Sequence, residues 1–232
     1  MHTSVTEIAP NIFRLTIAPN DFFEFSQFLL VDESTCLVHA GKSSLFNELE
    51  SLIHEVLGKR NLDYIVFSHV EADESGATNK WLKKYPNAQV VCNKIANISL
   101  DNFLIRPAKV LKDKEFINLG SMTLRMVETP HFPHNWDAHM WYEEKEQVLF
   151  SSDFCCQGGI SQPVSNKDIS GSIISFYEKG NFIPYGSTTN SNLKKLEQIP
   201  FKAIAPMHGS IIGEEAAKTV FDKVKRDLES RA

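Results

Sequence analysis

The chain of 232 residues is 42% hydrophobic and carries 24 Lys and Arg against 29 Asp and Glu, a formal charge of -5. That apolar share suffices for one large core, and basic residues scattered through an acidic chain leave no electrostatic footprint for nucleic acid or an anionic membrane. Met1 to Pro10 lacks the apolar stretch of a signal peptide and no run is long enough to span a bilayer, so a cytoplasmic protein folded as one domain over residues 1–232 is expected.

Polar His2, Thr3 and Glu7 make the N-terminus read as a loose tail, followed by Ile12 to Ile17, whose alternation fits a half-buried strand. Phe28 to Val31 and Cys36 to Val38 read as a hairpin turned at Asp32-Glu33-Ser34. Ser44 to Leu57 has helical spacing through Leu45, Leu49, Leu52, Ile53 and Val56, with Gly58 as its stop before an apolar strand at Tyr64 to Phe67. Ser75-Gly76 opens a helix over Ala77 to Tyr85, and Ala88 to Cys92 returns to strand. A second β-rich stretch runs through Glu115 to Ile117, Met122 to Val127, His139 to Tyr142 and Val148 to Phe150, with turns at Asn118-Leu119-Gly120 and Glu143-Glu144-Lys145. Helical patterns cover Gly171 to Glu178 and Asn192 to Ile199, then come a strand at Ala203 to Ala205 and an amphipathic helix from Glu214 to Leu228. Two halves, each strand-rich and then helical, predict an α/β fold of four layers, an αββα sandwich.

Cys36, Cys92, Cys155 and Cys156 have no Cys-x-x-Cys spacing, and adjacent Cys155 and Cys156 are poorly placed for an ordinary disulfide, so reduced structural thiols are expected. The most informative stretch is His69-Val70-Glu71-Ala72-Asp73, directly after an apolar strand. It sets three metal-ligand types at alternate positions on a loop held by a rigid scaffold. Histidine in the middle would suit a nitrogen-rich zinc hydrolase, whereas Glu71 makes the donors oxygen-rich and shifts the expectation toward iron or manganese. Ligand-type residues recur where other predicted strands end, at Thr129-Pro130-His131-Phe132-Pro133-His134, Ser151-Ser152-Asp153 and Pro206-Met207-His208-Gly209. Side chains leaving several strand ends of a packed sheet can converge on a point. His134 is read as lining the pocket or donating a hydrogen bond, and His2, His39 and His54 are not expected as ligands. Phe22, Phe23, Phe25 and Phe28 crowd one segment, either as core or dimer packing or as cover for a pocket.

Together, Ser68-His69-Val70-Glu71-Ala72-Asp73, His131-Phe132-Pro133, Phe150-Ser151-Ser152-Asp153 and Ile204-Ala205-Pro206-Met207-His208-Gly209 resemble the metallo-β-lactamase fold superfamily. Within it, they are similar to the diiron branch of flavodiiron proteins and free-standing oxygen-binding diiron proteins. The resemblance implies two iron ions, ferrous or ferric, with a bridging oxo, hydroxo or peroxo species. It would put His69, Glu71 and His131 on one iron, Asp73 and His208 on the other, and Asp153 as the bridging carboxylate. The position after Asp73 departs from the pattern. Many relatives have histidine there and this chain has Glu74, which could ligate the second metal, hydrogen-bond a ligand, or be solvated.

Flavodiiron reductases carry a flavodoxin domain that supplies electrons, and none is recognised after the helix ending near Leu228. Reducing dioxygen to water takes four electrons, and two ferrous ions give one each. The expectation is therefore a dioxygen-binding sensor that reports to a signalling partner, which in some relatives belongs to the chemotaxis machinery. Family resemblance also implies a homodimer. The alternative is an oxygen or nitric oxide reductase fed by a separate flavoprotein or rubredoxin-type donor. A metal-dependent hydrolase is a third reading, against which Glu71 and Glu74 argue.

Overall fold

The structure, a computed structural model, describes residues 1–231. Its first sheet begins with β1 (His2–Ala9), β2 (Ile12–Ala18), β3 (Phe25–Val31) and β4 (Thr35–Val38), antiparallel in that order. β1 corrects the expected loose tail. His2 pairs with Ala18 and Thr3 with Ile17, so the polar residues of a half-exposed edge strand concealed a backbone tied along β2. The sheet then continues in parallel. α1 (Phe46–Leu57), α2 (Thr78–Lys84) and α3 (Lys94–Ser99) are the crossovers that lead to β5 (Tyr64–Val66), β6 (Gln89–Asn93) and β7 (Lys109–Leu111). α1 follows from its spacing: Leu49, Leu52, Ile53 and Leu57 form one buried stripe, and Gly58, at φ 57°, ends the helix by donating its N–H to the His54 carbonyl.

The second half repeats the plan. β8 (Phe116–Asn118), β9 (Thr123–Glu128), β10 (His139–Glu143) and β11 (Val148–Ser152) are antiparallel. After β12 (Val164–Ser165), α4 (Ser170–Gly180) and α5 (Ser187–Leu196) cross to β13 (Ala203–Pro206), which lies parallel to β11. β14 (Ile211–Ile212) joins β13 to β12 at the sheet edge, and α6 (Glu214–Ser230) packs back over the sheet.

Strand periodicity assigns the layers. In β3, Phe28 and Leu30 face the second sheet while Leu29 faces the helices. The inner layer joins Phe28, Leu30, Val38, Val66 and Val91 to Leu124, Met126, Trp141, Phe150 and Ala205, with the Phe28 and Phe150 rings 5.0 Å apart. On one outer side Leu49, Ile53 and Trp81 cover Leu29, Leu37 and Ile65; on the other Ile173, Leu193, Phe221 and Val224 cover Met140, Leu149 and Ile204. The result is the expected helix–sheet–sheet–helix sandwich. All four cysteines are free and buried. No helix among the described residues is long and apolar enough to cross a membrane.

Candidate metal centre

β5 delivers Phe67-Ser68-His69 out of the core, and Glu74 folds the next loop back behind them. Glu74 Oε2 accepts from the Ser68 and His69 backbone N–H groups at 2.6 and 3.0 Å, and its Oε1 accepts from the Ser152 hydroxyl. His39 Nδ1 stands 3.2 Å from the same carboxylate. Of the three readings open for Glu74, the structure gives the hydrogen-bonded one: the residue is buried behind His69 and is not solvated. Burial would raise its carboxyl, but His39 and His69 bring it down to about 2. Ser152 Oγ also lies 3.2 Å from His69 Nδ1, which leaves His69 Nε2 for the site. Val70 N–H donates to Asp137 Oδ2 at 2.8 Å, tying this loop to the β9–β10 connection.

Two groupings meet at Asp153, the residue after β11. In the first, His69 Nε2 is 2.7 Å from Glu71 Oε2, His134 Nε2 is 2.8 Å from Asp153 Oδ2, and the cross distances from His69 to Asp153 and from His134 to Glu71 are both 3.6 Å. In the second, His208 Nε2 lies 3.5 Å from Asp73 Oδ2 and 3.4 Å from Asp153 Oδ1. His208 donates Nδ1–H to the Glu24 carbonyl at 2.8 Å, so its Nε2 faces the carboxylates. Asp153 thus turns one oxygen to each grouping.

His131 is not brought in. It is exposed, at φ 64°, and His134 stands in the first grouping instead. The reason is the residue between them: Phe132 is fully buried, its ring 5.3 Å from that of Phe154, and its carbonyl accepts from Thr129 Oγ at 2.8 Å. With Phe132 pinned inward, His131 is left on the outer side of the turn and His134 reaches the cluster. The sequence shows Phe132 between the two histidines, but which of them its burial turns inward is set by packing.

The electrostatics call for cations. Asp153 is held well below the usual carboxylate range, because His134 and His208 outweigh the burial that would raise it. Burial would lower His69, yet Glu74, Glu71 and Asp153 raise it to about 10; burial would lower His208, yet Asp153 and Asp73 raise it to about 9. Burial would lower His134 too, yet its hydrogen bond to Asp153, the charge of that carboxylate and a bond to Asn135 together raise it. Carboxylates that hold protons on three imidazoles can hold metal ions in their place. His69, Glu71, His134 and Asp153 could hold a metal ion, and beside them His208 stands between Asp73 and Asp153. The Cys156 thiol, 3.6 Å from Asp153 Oδ1, is pushed up by burial and serves as a donor, so the set offers nitrogen and oxygen rather than thiolate.

Above the cluster is a pocket of about 420 Å³ lined by Glu71, Asp73, His134, Asp153 and His208 below and by Phe23, Phe176 and Phe182 around it. The model of the "ODP family beta lactamase" matches residues 23–209. The chain belongs to this family. As an ODP-family protein it is 27% identical over 201 residues to coenzyme F420H2 oxidase of Methanothermobacter marburgensis, covering 78% of this chain and 48% of that protein. Against nitric oxide reductase of Moorella thermoacetica it is 24% identical over 207 residues, 84% of this chain and 51% of that one. The ODP-family chain therefore spans about half the length of these curated relatives. In structure it resembles the flavodiiron protein of Giardia intestinalis with a TM-score of 0.82 at 19% identity, over 97% of this chain and 59% of that one. That likeness gives the fold: the β-lactamase-like core of flavodiiron proteins.

Proposed function

We propose that this protein is a non-haem diiron protein that binds dioxygen over two adjacent irons and uses the event to signal oxygen to a partner protein. The observation that carries this reading is Asp153, a buried carboxylate with one oxygen toward His69 and His134 and the other toward His208. His69, Glu71 and His134 would hold one iron and Asp73 and His208 the other, with Asp153 shared between them. A ferrous pair supplies two electrons to a small oxidant, where zinc supplies none. Three carboxylates against two divalent ions leave about one positive charge, which favours a ligand that becomes anionic as it is reduced.

The walls fit the same ligand. Phe23 packs on His208 with ring centroids 4.1 Å apart, and Phe182 meets His134 at 5.6 Å, so the approach is aromatic from both imidazole sides. Such a rim lowers the polarity of the approach and suits a small apolar diatomic better than a phosphoester.

Signalling needs the site coupled to the surface. Asp153 directly precedes the segment 154–164, whose Gly159 N–H donates to the Phe22 carbonyl at 2.9 Å, beside Phe23 of the pocket wall. Phe22 and Ile160 are exposed, so a changed charge at Asp153 or His208 is felt by a segment a partner could read. Homodimer formation and a cytoplasmic location belong to this proposal. The second reading is an oxygen or nitric oxide reductase fed by a separate flavoprotein or rubredoxin-type donor, the class to which the similar nitric oxide reductase of Moorella thermoacetica belongs.

Turnover separates the two. Given a generic flavoprotein electron chain, an iron-loaded sensor consumes dioxygen in proportion to its sites and then stops. Sustained consumption of oxygen or nitric oxide over many equivalents would establish the reductase. Preference for zinc with ester hydrolysis would remove both.

A further inference from the structure

Ile12-Phe13-Arg14-Leu15 places a guanidinium in a strand whose neighbours are core residues, and both Arg14 and Glu24 are 1% exposed. The four bonds of the Arg14 guanidinium reach three segments: residues 24–26, Pro163 and Gly209, the residue after His208. Its Nε donates to Ser26 Oγ at 2.9 Å, its Nη1 to the Pro163 carbonyl at 3.2 Å, and its Nη2 to Glu24 Oε1 at 2.8 Å and to the Gly209 carbonyl at 2.9 Å. Glu24 in turn offers its backbone carbonyl to His208 Nδ1, and the Ser26 N–H donates to the Met207 carbonyl at 2.8 Å.

We propose that the buried Arg14–Glu24 pair is a positioning device for the second metal position, holding the Glu24 carbonyl and the Gly209 turn so that His208 Nε2 faces Asp73 and Asp153. The proposal rests on the diiron reading. A buried ion pair is a poor source of stability, since apolar residues of similar size commonly do as well, so a fully bonded one is better explained by the geometry it fixes. Here the fixed geometry is one imidazole. A metal-ligating histidine depends on the acceptor of its other ring N–H for its orientation, and loss of such an acceptor costs about 10–100-fold in metal affinity. Nothing in the Arg14 network reaches His69, Glu71 or His134, so its effect is confined to one of the two positions.

The test uses the full chain with the double variant Arg14→Met/Glu24→Leu, which leaves no unpaired buried charge, and the conservative Glu24→Gln. Two readouts are compared: the slowly exchanging His208 Nδ1 proton in the metal-free protein by NMR, and anaerobic ferrous titration followed to two equivalents. Expected in the double variant are loss of that proton resonance and at least about tenfold weaker binding of the second equivalent, with the first unchanged. Glu24→Gln keeps an acceptor for Arg14 Nη2 but leaves its charge unpaired, so it lowers the stability of the fold while retaining the resonance and both equivalents. A folded double variant that keeps the resonance and both equivalents overturns the proposal. If wild type takes up no iron pair while the double variant still loses the resonance, the positioning role stands and the diiron reading falls. Should the double variant not fold, Arg14→Lys, which cannot reach all four acceptors, is read by the same titration: selective weakening of the second equivalent supports the proposal, and two unchanged equivalents overturn it.

Discussion

His131 and His134 sit in one turn, and sequence types alone do not say which of them faces the cluster. The buried ring of Phe132 decides it, which is a tertiary fact. Removing His134 with His134→Ala therefore abolishes tight binding at the first metal position, while His131→Ala retains both metals, as metal analysis after gel filtration will read. Iron lost from His131→Ala and kept by His134→Ala would reverse the assignment. The imidazoles also set a pH dependence. His69 and His208 are raised from 6.5 to about 10 and about 9, so in the metal-free protein the stability they contribute is fully present below about pH 6.5 and is lost as pH rises through 9 to 10. Glu74 acts in the other direction and at the other end: lowered from 4.5 to about 2, its contribution is present above about pH 4.5 and lost as pH falls toward 2. The metal-free melting temperature is expected to fall from pH 7 to pH 10, and metal loading at pH 7 is expected to release protons, seen with an indicator dye. A flat alkaline limb together with proton-neutral loading would remove the charge account of the cluster.

At the scale of elements, the long patterns were legible and the short ones were not. The helix from Glu214 was visible because Ala217, Val220, Phe221, Val224 and Leu228 keep one face apolar over several turns, and the strand carrying His69 because it is uniformly apolar. β1, β7, β12, β14 and α3 escaped because their residues are few or half-exposed, the strands being fixed by pairing across the sheet. Glu74 was legible as a departure from the family pattern, but its fold-back onto two backbone N–H groups depends on the loop's path. Packing and turn chemistry at this scale give two checks. Phe150→Ala opens the inner layer beneath Ser152 and Asp153 and should cost about 3–5 kcal/mol in urea denaturation. Gly209→Ala, at φ 89° and with a new Cβ 2.8 Å from the Gln157 side chain, should cost about 1–2 kcal/mol and loosen the turn that carries His208. A neutral result at either position would contradict the packing described.

The whole molecule places its chemistry at the seam between two similar halves. The first sheet brings His69, Glu71 and Asp73; the second brings His134, Asp153 and His208. Neither half holds a complete metal position, because Asp153 must face both groups, and the face-to-face packing of two seven-stranded sheets is what sets the groups together. Rebinding of metal should therefore report assembly of the whole sandwich rather than of either half. The central claim is that one buried carboxylate joins two irons able to meet dioxygen. Anaerobic loading with ferrous iron, followed by oxygen exposure and Mössbauer spectroscopy, tests it most directly. The account predicts two irons per chain that become a spin-coupled ferric pair, and two uncoupled or single irons in Asp153→Asn. One isolated iron per wild-type chain, or two that show no coupling after oxygen, would contradict it.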